Sequence, residues 1–338
     1  MSFSIISYQS LIDEEFRKFF ENRRILITGA SGLLGSHFAG LFQEFNQEFS
    51  GNTSLTLISK SGFYPFDLLR NTQSIKYDLE STDVSKVLEK QDIIIHCAGY
   101  GQPTKFQQHQ LKTIHLNTST SLQLTKLLEP NGSFLFLSSS EVYSGLNNPP
   151  FTEDRIGTTN TDHPRAAYIE SKRAGEAIVS ALRRSQSDIR AYSARLALAY
   201  GPGFKRGDGR VLNELIVRGI IENSISLRDS GNSMRTYCYI SDAIRQCISI
   251  LIFGRHEIYN VGGRTRISVA ELATVIASLL EVPLHIPLDH DSFLSDAPTD
   301  VWLDLSRIEA ISGVSNYIDI IRGLEDTIAW ARKIYEKD

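Results

Sequence analysis

The stretch RRILITGASGLLG, residues 23–35, decides the fold. It opens with aliphatic residues typical of a buried strand, turns at Gly29, Gly32 and Gly35, and runs into SHFAGLF, whose apolar residues recur at helical spacing. Glycines let the backbone turn tightly and approach a phosphate, and the first turn of a helix offers unpaired amides to the phosphate charge. The stretch therefore predicts a strand, a diphosphate-binding turn and a helix.

Four further short apolar runs follow, separated by helical or turn-rich segments. They are SLTLISK (54–60), DIIIHCAG (92–99), GSFLFLSS (132–139) and IRAYSARLAL (189–198). Strands that alternate with helices predict a parallel sheet covered on both faces. Right-handed crossovers then give a doubly wound α/β fold of the Rossmann type, with its ligand at the carboxyl ends of the strands.

Two regions break this pattern and predict a smaller C-terminal substrate-binding lobe. Residues 200–235 are rich in Gly, Arg and Asp, and the alternation does not resume over residues 264–338. Residues 23–199 and 236–263 are assigned to the dinucleotide-binding domain. Residues 1–22 predict an amphipathic helix packed on that domain or on a dimer mate, through apolar residues near helical spacing: Leu11, Ile12, Phe16, Phe19 and Phe20.

The composition argues against several classes of partner. A net charge of −4 lacks the basic excess that nucleic-acid binding needs. No run approaches the roughly 18 apolar residues of a membrane span, so we expect no membrane association. The cysteines are scattered and form no C-x-x-C pair, which favours neither disulfides nor a metal site and suggests the cytoplasm. They are Cys97, Cys238 and Cys247.

The segment YIESK, residues 168–172, carries the strongest catalytic signal. Tyr168 and Lys172 stand four residues apart, so on a helix they share one face. A nearby ammonium favours phenolate, and we expect it to lower the pKa of Tyr168 from about 10 toward the range of a general base.

The spacing G-x-x-G-x-x-G resembles the extended short-chain dehydrogenase/reductases, and within them the NAD-dependent epimerase/dehydratase family. Asp78-Leu79 resembles the family's adenine-contacting pair, His96-Cys97-Ala98-Gly99 the loop beneath the nicotinamide half, and Asn117 the family's helical asparagine. The cofactor-binding residues that the resemblance implies are Gly29, Ser31, Gly32, Leu33, Leu34, Gly35, Ser59, Lys60, Asp78, Leu79, Ala98, Gly99, Asn117, Tyr168 and Lys172.

The second apolar run leaves the choice of cofactor open. It ends in Ser59-Lys60 and lacks the acid that would bind the adenosine ribose hydroxyls of NAD. These two residues could instead accommodate the 2′-phosphate of NADP. Family habit favours NAD, with NADP as the alternative.

The resemblance also implies how a sugar would be oxidised. Ser139 takes the place of the residue that holds the substrate hydroxyl, and Tyr168 would remove the O4 proton while hydride leaves C4 of a nucleotide-diphosphate sugar. A 4-keto sugar results. Helices near residues 108–129 and 165–184 resemble the pair that forms a homodimer interface in this family.

The next two residues, Ser140-Glu141, resemble the UDP-glucuronate decarboxylase branch. A 4,6-dehydratase carries Asp-Glu there, and a 4-epimerase usually keeps small or neutral residues. HPRAAYIESKRAGE (163–176), GDGRVL (207–212) and DSGNSMRT (229–236) also resemble that branch. The resemblance makes Glu141 catalytic and implies four substrate-binding residues: Ser140, Arg165, Arg210 and Arg235. Arg195 is expected to pair behind the site.

Two departures keep other outcomes open. Ser144 stands where the family has glycine after Val-Tyr, and Ala297-Pro298-Thr299-Asp300 stands where relatives often place a basic residue near the nucleotide. A nucleotide-sugar 4,6-dehydratase, a 4-epimerase and a C4 dehydrogenase remain alternatives. A non-catalytic dinucleotide-binding regulator is a further one, although it would not need Ser139, Tyr168 and Lys172 together.

Overall fold

A seven-stranded parallel sheet forms the centre of the protein. The computed structural model describes residues 6–62, 71–80, 83–287, 300–314 and 316–336. The strands in these ranges are β1 (Arg24–Thr28), β2 (Ser54–Ser59), β3 (Thr72–Lys76), β4 (Gln91–His96), β5 (Leu128–Ser139), β6 (Arg190–Leu196), β7 (Leu198–Tyr200), β8 (Ile225–Ser226), β9 (Met234–Tyr239), β10 (Ile258–Val261), β11 (Thr265–Ser268) and β12 (Leu284–His285). The central order is β10-β6-β5-β4-β1-β2-β3, with every neighbouring pair parallel.

Helices cover both faces of this sheet. They are α1 (Glu14–Phe20), α2 (Leu33–Phe49), α3 (Pro103–Gln108), α4 (Gln110–Asn117), α5 (Ser119–Thr125), α6 (Ala166–Ser185), α7 (Val211–Glu222), α8 (Ile240–Phe253), α9 (Val269–Leu280), α10 (Ser306–Ser312) and α11 (Ile320–Tyr335). Successive strand residues point to opposite faces, so Ile25 and Ile27 join the core under α2 and α8, while Leu26 joins the core under α4, α5 and α6. Apolar strands enclosed in this way confirm the doubly wound Rossmann fold.

The N-terminal segment packs on the domain through α1. The Asp13 side chain accepts a hydrogen bond from the Phe16 amide and so caps the helix. Phe16 and Phe20 are fully buried, and their rings contact Phe42 and Phe45 of α2. The amphipathic pattern thus encodes a helix that covers the first crossover helix of the fold.

Two small sheets lie outside the central one. β9 pairs with β7 in parallel and with β11 in antiparallel orientation, and β8 pairs with β12. The boundary expected between residues 235 and 236 falls inside β9, because this strand runs on to Tyr239 before α8 and β10 return to the central sheet. Within the described ranges, no helix combines the length and apolar character that a bilayer span requires.

Candidate active site

The glycine loop connects β1 to α2 at the carboxyl edge of the sheet. Gly29 has a φ of +65°, and a Cβ on it would lie 2.7 Å from the Ala98 nitrogen. A Cβ on Gly35 would lie 2.4 Å from the Gly29 oxygen. Gly32 is the N-cap of α2, and no side chain caps this helix. The first-turn amides, those of Leu33 and Leu34 among them, are therefore available to an anion.

The loop after β4 lies against the glycine loop. The Ala98 amide donates to Thr28 Oγ1 (3.2 Å), and that hydroxyl hydrogen bonds to Nδ1 of His96 (2.7 Å). Burial lowers the pKa of His96 to about 4, so its ring is a neutral part of the scaffold. A Cβ on Gly99 would lie 3.7 Å from Asn117 Oδ1 and 3.8 Å from Lys172 Nζ. The structure thus brings Gly99, Asn117 and Lys172 together.

These residues fit a dinucleotide. An uncapped helix follows a loop whose glycines are needed for close backbone packing, and the Asn117 amide oxygen is a buried acceptor without a partner in the described residues. The Asn117 amide nitrogen donates to Ser171 Oγ (2.9 Å), which fixes its orientation.

The adenosine end of the predicted cofactor site is an ion-pair cluster. Lys60 Nζ lies 2.9 Å from Asp78 Oδ2 and 3.4 Å from Glu80 Oε1. Glu80 also accepts from the Tyr100 hydroxyl (2.7 Å) and lies 3.1 Å from Lys112 Nζ. Burial acts to raise the pKa of Glu80, but the hydrogen bonds from Tyr100 and Lys112 outweigh it and hold that pKa below its usual value.

Two other predicted cofactor residues of this region are buried and make contacts within the protein. Ser59 is buried and accepts a hydrogen bond from the Gly62 amide (3.0 Å), while Leu79 packs in the core beneath the sheet. The pattern Asp-Leu thus positions Asp78 through its buried neighbour. Glu80 lies outside every motif that the sequence offered, so its place in the cluster was not predicted.

Ser139, Tyr168 and Lys172 meet where β5 ends against α6. The Ser139 side chain lies close enough to the Tyr168 phenol for hydrogen bonding to act on its pKa, which it lowers. Lys172 Nζ donates to the Leu137 carbonyl (2.6 Å) and lies 5.8 Å from the centre of the Tyr168 ring. The structure therefore assembles the predicted triad, with the lysine beside the tyrosine on one face of α6.

The expected lowering of the tyrosine pKa is wrong for this structure. Burial raises the pKa of Tyr168 to about 12, against the opposing effect of the Ser139 hydrogen bond. The Phe106 ring stacks on Tyr168 with centroids 4.4 Å apart, which excludes water from the phenol. Burial also lowers the pKa of Lys172 to about 8. Desolvation is thus the largest cause of both pKa shifts.

Glu141 and Arg165 form a two-pronged ion pair next to this triad. Arg165 Nη2 lies 2.5 Å from Glu141 Oε1, and its Nε donates to Oε2 at 3.0 Å. The Arg165 guanidinium also lies 5.0 Å from the Phe106 ring centre. Phe106, which no motif indicated, therefore packs on both the predicted base and the predicted substrate-binding arginine.

The other predicted substrate residues differ in how far they are already paired. Ser140 is buried directly after β5. Arg210 is held by Asp208, with Nη2 2.5 Å from Oδ2. Arg235 is half-buried, donates to the Met234 carbonyl, and has no carboxylate within ion-pair distance among the described residues. Its pKa is lowered, chiefly by burial.

Arg235 shares two charged neighbours with Tyr168. The charges of Glu141 and Arg165 act on the pKa values of both Tyr168 and Arg235. An unpaired, desolvated guanidinium favours an anion that can take both prongs of its fork.

Arg195 lies behind the site, as expected from its sequence. Its guanidinium, 1% exposed, pairs with Glu176 (2.7 Å), which also accepts a hydrogen bond from Ser138 (2.6 Å). Ala297, Pro298 and Thr299 lie outside the described residues, while Asp300 pairs with Arg266 (2.6 Å). The described part of the chain holds no group of three His, Cys, Asp or Glu side chains that could bind a metal.

Comparisons with known proteins give the chain its family. UDP-glucuronic acid decarboxylase 1 of Xenopus tropicalis is 27% identical over 94% of this chain and 74% of its own length. UDP-glucuronic acid decarboxylase 6 of Arabidopsis thaliana is 28% identical over 91% of this chain and 88% of its own. UDP-glucuronic acid 4-epimerase from Bacillus cereus, in complex with UDP-glucuronic acid and NAD, shares the fold with a TM-score of 0.74 and 21% identity, over 92% of this chain and 100% of that one. Residues 25–262 match the family described as the NAD dependent epimerase/dehydratase family, and the chain belongs to that family.

Proposed function

We propose that the protein is an NAD-dependent enzyme that oxidises a nucleotide-linked uronic acid at C4 and releases carbon dioxide from it, as the decarboxylase relatives' names suggest. The observation that carries the proposal is Arg235, a half-buried guanidinium without a carboxylate partner in the described ranges, on which the charges of Glu141 and Arg165 act as they do on Tyr168. A uronic acid carboxylate would satisfy this charge.

The adenosine end supports NAD over NADP. Of the two residues that could accommodate a 2′-phosphate, Ser59 is buried and Lys60 is engaged by Asp78 and Glu80. Its ammonium is therefore already neutralised, and two carboxylates would face the added phosphate. The glycine-loop amides would hold the pyrophosphate, with Gly99, Asn117 and Lys172 at the nicotinamide half. When bound, the nicotinamide supplies a hydride acceptor for C4 and a donor for its return.

Tyr168 is the proposed proton carrier for O4. Ser139, which lies beside the phenol, would hydrogen bond to the same sugar hydroxyl and align it with Tyr168. Lys172 would stabilise the phenolate from one helical turn away, and its hydrogen bond to the Leu137 carbonyl fixes the ammonium in place. Phe106 keeps water from the phenol. Without water between them, the Lys172 ammonium stabilises the phenolate more strongly than it would in solvent.

Oxidation at C4 prepares the second step. The carboxylate of the 4-keto uronic acid is β to the ketone, so its C–C bond can break as the electron pair moves into the carbonyl. Arg235 would hold the carboxylate. Glu141, anchored by Arg165, would order the water that protonates C5. A dehydratase would need a strong acid at Ser140, which a hydroxyl cannot replace.

The test is carbon dioxide release from UDP-glucuronate with NAD. We expect release by the native protein and at least a hundredfold loss in Arg235→Ala, roughly the cost of an unpaired charged contact at about 3 kcal/mol. Arg228→Ala, an exposed arginine paired only with Glu214 among the described residues, is the matched control and should retain activity.

Water loss from a neutral hexose would favour the dehydratase. Inverted C4 at unchanged mass would favour the epimerase, and a stable keto product the dehydrogenase. Dinucleotide binding without any sugar turnover would favour the regulator.

A homodimer is proposed on the surface of α4 and α5. Leu111 is 83% exposed, and Ile114 and Leu122 are exposed on the same segment, whose helix α4 packs beside α6. Light scattering that gives twice the chain mass, reduced in Leu111→Glu, supports the dimer, and a monomeric native protein contradicts it.

We also propose a cytoplasmic location, since Cys97, Cys238 and Cys247 are free thiols; fractionation of cells that express the protein tests this.

A further inference from the structure

A lysine from outside the central sheet reaches the glycine loop. Lys205 lies in the segment between β7 and α7, and its Nζ donates to Ser31 Oγ at 2.9 Å. Ser31 is buried, stands between Gly29 and Gly32, and also accepts a hydrogen bond from the Ser61 hydroxyl (3.4 Å). The contact joins two parts of the chain that are 174 residues apart.

This lysine has a cationic neighbour and no acid. The Lys205 residue is exposed overall, but desolvation lowers the pKa of its ammonium, and the charge of Lys105 on α3 lowers it further. Within the ranges that the structure describes, no carboxylate lies at ion-pair distance from either lysine. Three of the predicted cationic ligands, Lys60, Arg165 and Arg210, are paired with carboxylates. Lys205 resembles Lys172 and Arg235, which are not paired with carboxylates in the described ranges.

The Lys205 ammonium thus lies at the glycine loop that leads into the uncapped first turn of α2. The partial positive charge of the helix terminus adds to that of the ammonium, so both favour a multiply charged anion at one place. A diphosphate suits this arrangement because it presents oxygens to amides on one side and to an ammonium on the other.

We propose that Lys205 is a further cofactor-binding residue that donates to the pyrophosphate of the dinucleotide beside the glycine loop. The inference rests on the proposed NAD-dependent function. It assigns the diphosphate to the cofactor, and not to the nucleotide sugar, because Ser31 is part of the glycine loop.

Calorimetry on nucleotide-free protein tests the proposal. In Lys205→Met we expect the Kd of NAD, and that of ADP, to rise at least tenfold, while Lys205→Arg regains most of the affinity and Lys18→Met, an exposed lysine of α1, changes nothing. Adenosine, which has no phosphate, should bind the native protein and Lys205→Met alike. The NAD affinity of Lys205→Met should also fall less steeply with salt.

Other results would contradict this assignment in distinguishable ways. Unchanged NAD affinity in Lys205→Met, together with weaker binding of UDP, would overturn the assignment and give the lysine to the sugar nucleotide. Unchanged affinity for both would also overturn it. A native protein that binds neither NAD nor ADP would overturn the proposed function together with the inference. Circular dichroism and thermal melting confirm that each variant is folded.

Discussion

The three glycines of residues 29–35 differ in what a side chain would meet. A Cβ on Gly32 approaches only the Gly29 oxygen, at 3.2 Å, whereas one on Gly35 would lie 2.4 Å from that atom. We expect Gly32→Val to fold and yet lose NAD affinity at least a hundredfold, because the side chain occupies the diphosphate position. Gly35→Ala should instead lose about 1–3 kcal/mol of stability. Urea denaturation and calorimetry separate the two effects, and full NAD occupancy in folded Gly32→Val would refute the loop assignment.

Tyr168 and Lys172 should act as a unit. Tyr168→Phe and Lys172→Met should each abolish C4 oxidation, and the double variant should be little worse than either. Strictly multiplicative losses would contradict a shared role. Proton removal by Tyr168 needs the phenolate, whose pKa is about 12, and the Lys172 ammonium, whose pKa burial lowers to about 8. The rate should therefore rise with pH up to about 8 and level off above it, because each further gain in phenolate is offset by a loss of ammonium. Single-turnover reduction of NAD across pH 6–10 measures this profile, and a rate that keeps rising without a break through pH 9.5 would contradict it.

Most residues of the candidate site could be predicted from the sequence, but the shifts in their pKa values could not. Ser139, Tyr168 and Lys172 stand in motifs whose spacing implies their meeting, and the structure brings them together. Phe106 and Glu80 stand in no motif, since each is brought in by packing between distant segments. The rise in the Tyr168 pKa has the same origin, because it depends on how completely Phe106 covers the phenol.

Among the elements, α6 and β6 are joined by the buried pair of Glu176 and Arg195. The guanidinium also donates to the Tyr143 hydroxyl (2.9 Å) and to two backbone carbonyls, so its donors are well satisfied. Glu176→Gln leaves a buried cation without its carboxylate, and we expect a loss of about 3 kcal/mol in the free energy of unfolding. Glu170→Gln, whose ion pair with Arg173 is more exposed, is the control and should lose less than about 1 kcal/mol. Equal losses in the two variants would show that burial does not govern this pair.

Strand prediction succeeded where strands are buried and was weakest at the edges of the sheet. β1, β2, β4, β5 and β6 are covered on both faces, so each reads as an apolar run. β3 carries TQSIK at one edge and is largely exposed, and β10 is a strand of only four residues at the other. β3 buries little apolar surface, and β10, although buried, is too short to be recognised as an apolar run.

For the whole molecule, two buried histidines predict acid sensitivity. Burial lowers the pKa of His37 and of His96 to about 4, while both would titrate near 6.5 when unfolded. Between these values the unfolded chain binds protons that the folded chain does not, so stability is lost as pH falls from 6.5 toward 4, by up to about 3 kcal/mol for each histidine. Urea denaturation at pH 7 and pH 4.5 should show this loss of stability in the native protein and a smaller loss in His37→Asn. A stability unchanged over this range would refute it.

The doubly wound topology could be predicted because its signal is distributed over the whole chain. The predicted lobe boundary between residues 235 and 236 lies inside β9, a strand of the small sheet that leads into α8 without a break in its sequence pattern. The assignment of residues 200–235 and 264–338 to a substrate lobe therefore stays a proposal, supported by the position of Arg210, Lys205 and Arg235 around the site.

The most direct test of the proposed chemistry is the reaction product made in heavy water. The protein, NAD and UDP-glucuronate are incubated in D₂O, the mass of the nucleotide sugar is measured by mass spectrometry, and the position of the deuterium is determined by NMR. The expected product is a pentose nucleotide that has lost one carbon dioxide and carries one deuterium at C5. A product that keeps its carboxylate, whether epimerised at C4 or unchanged, would contradict it.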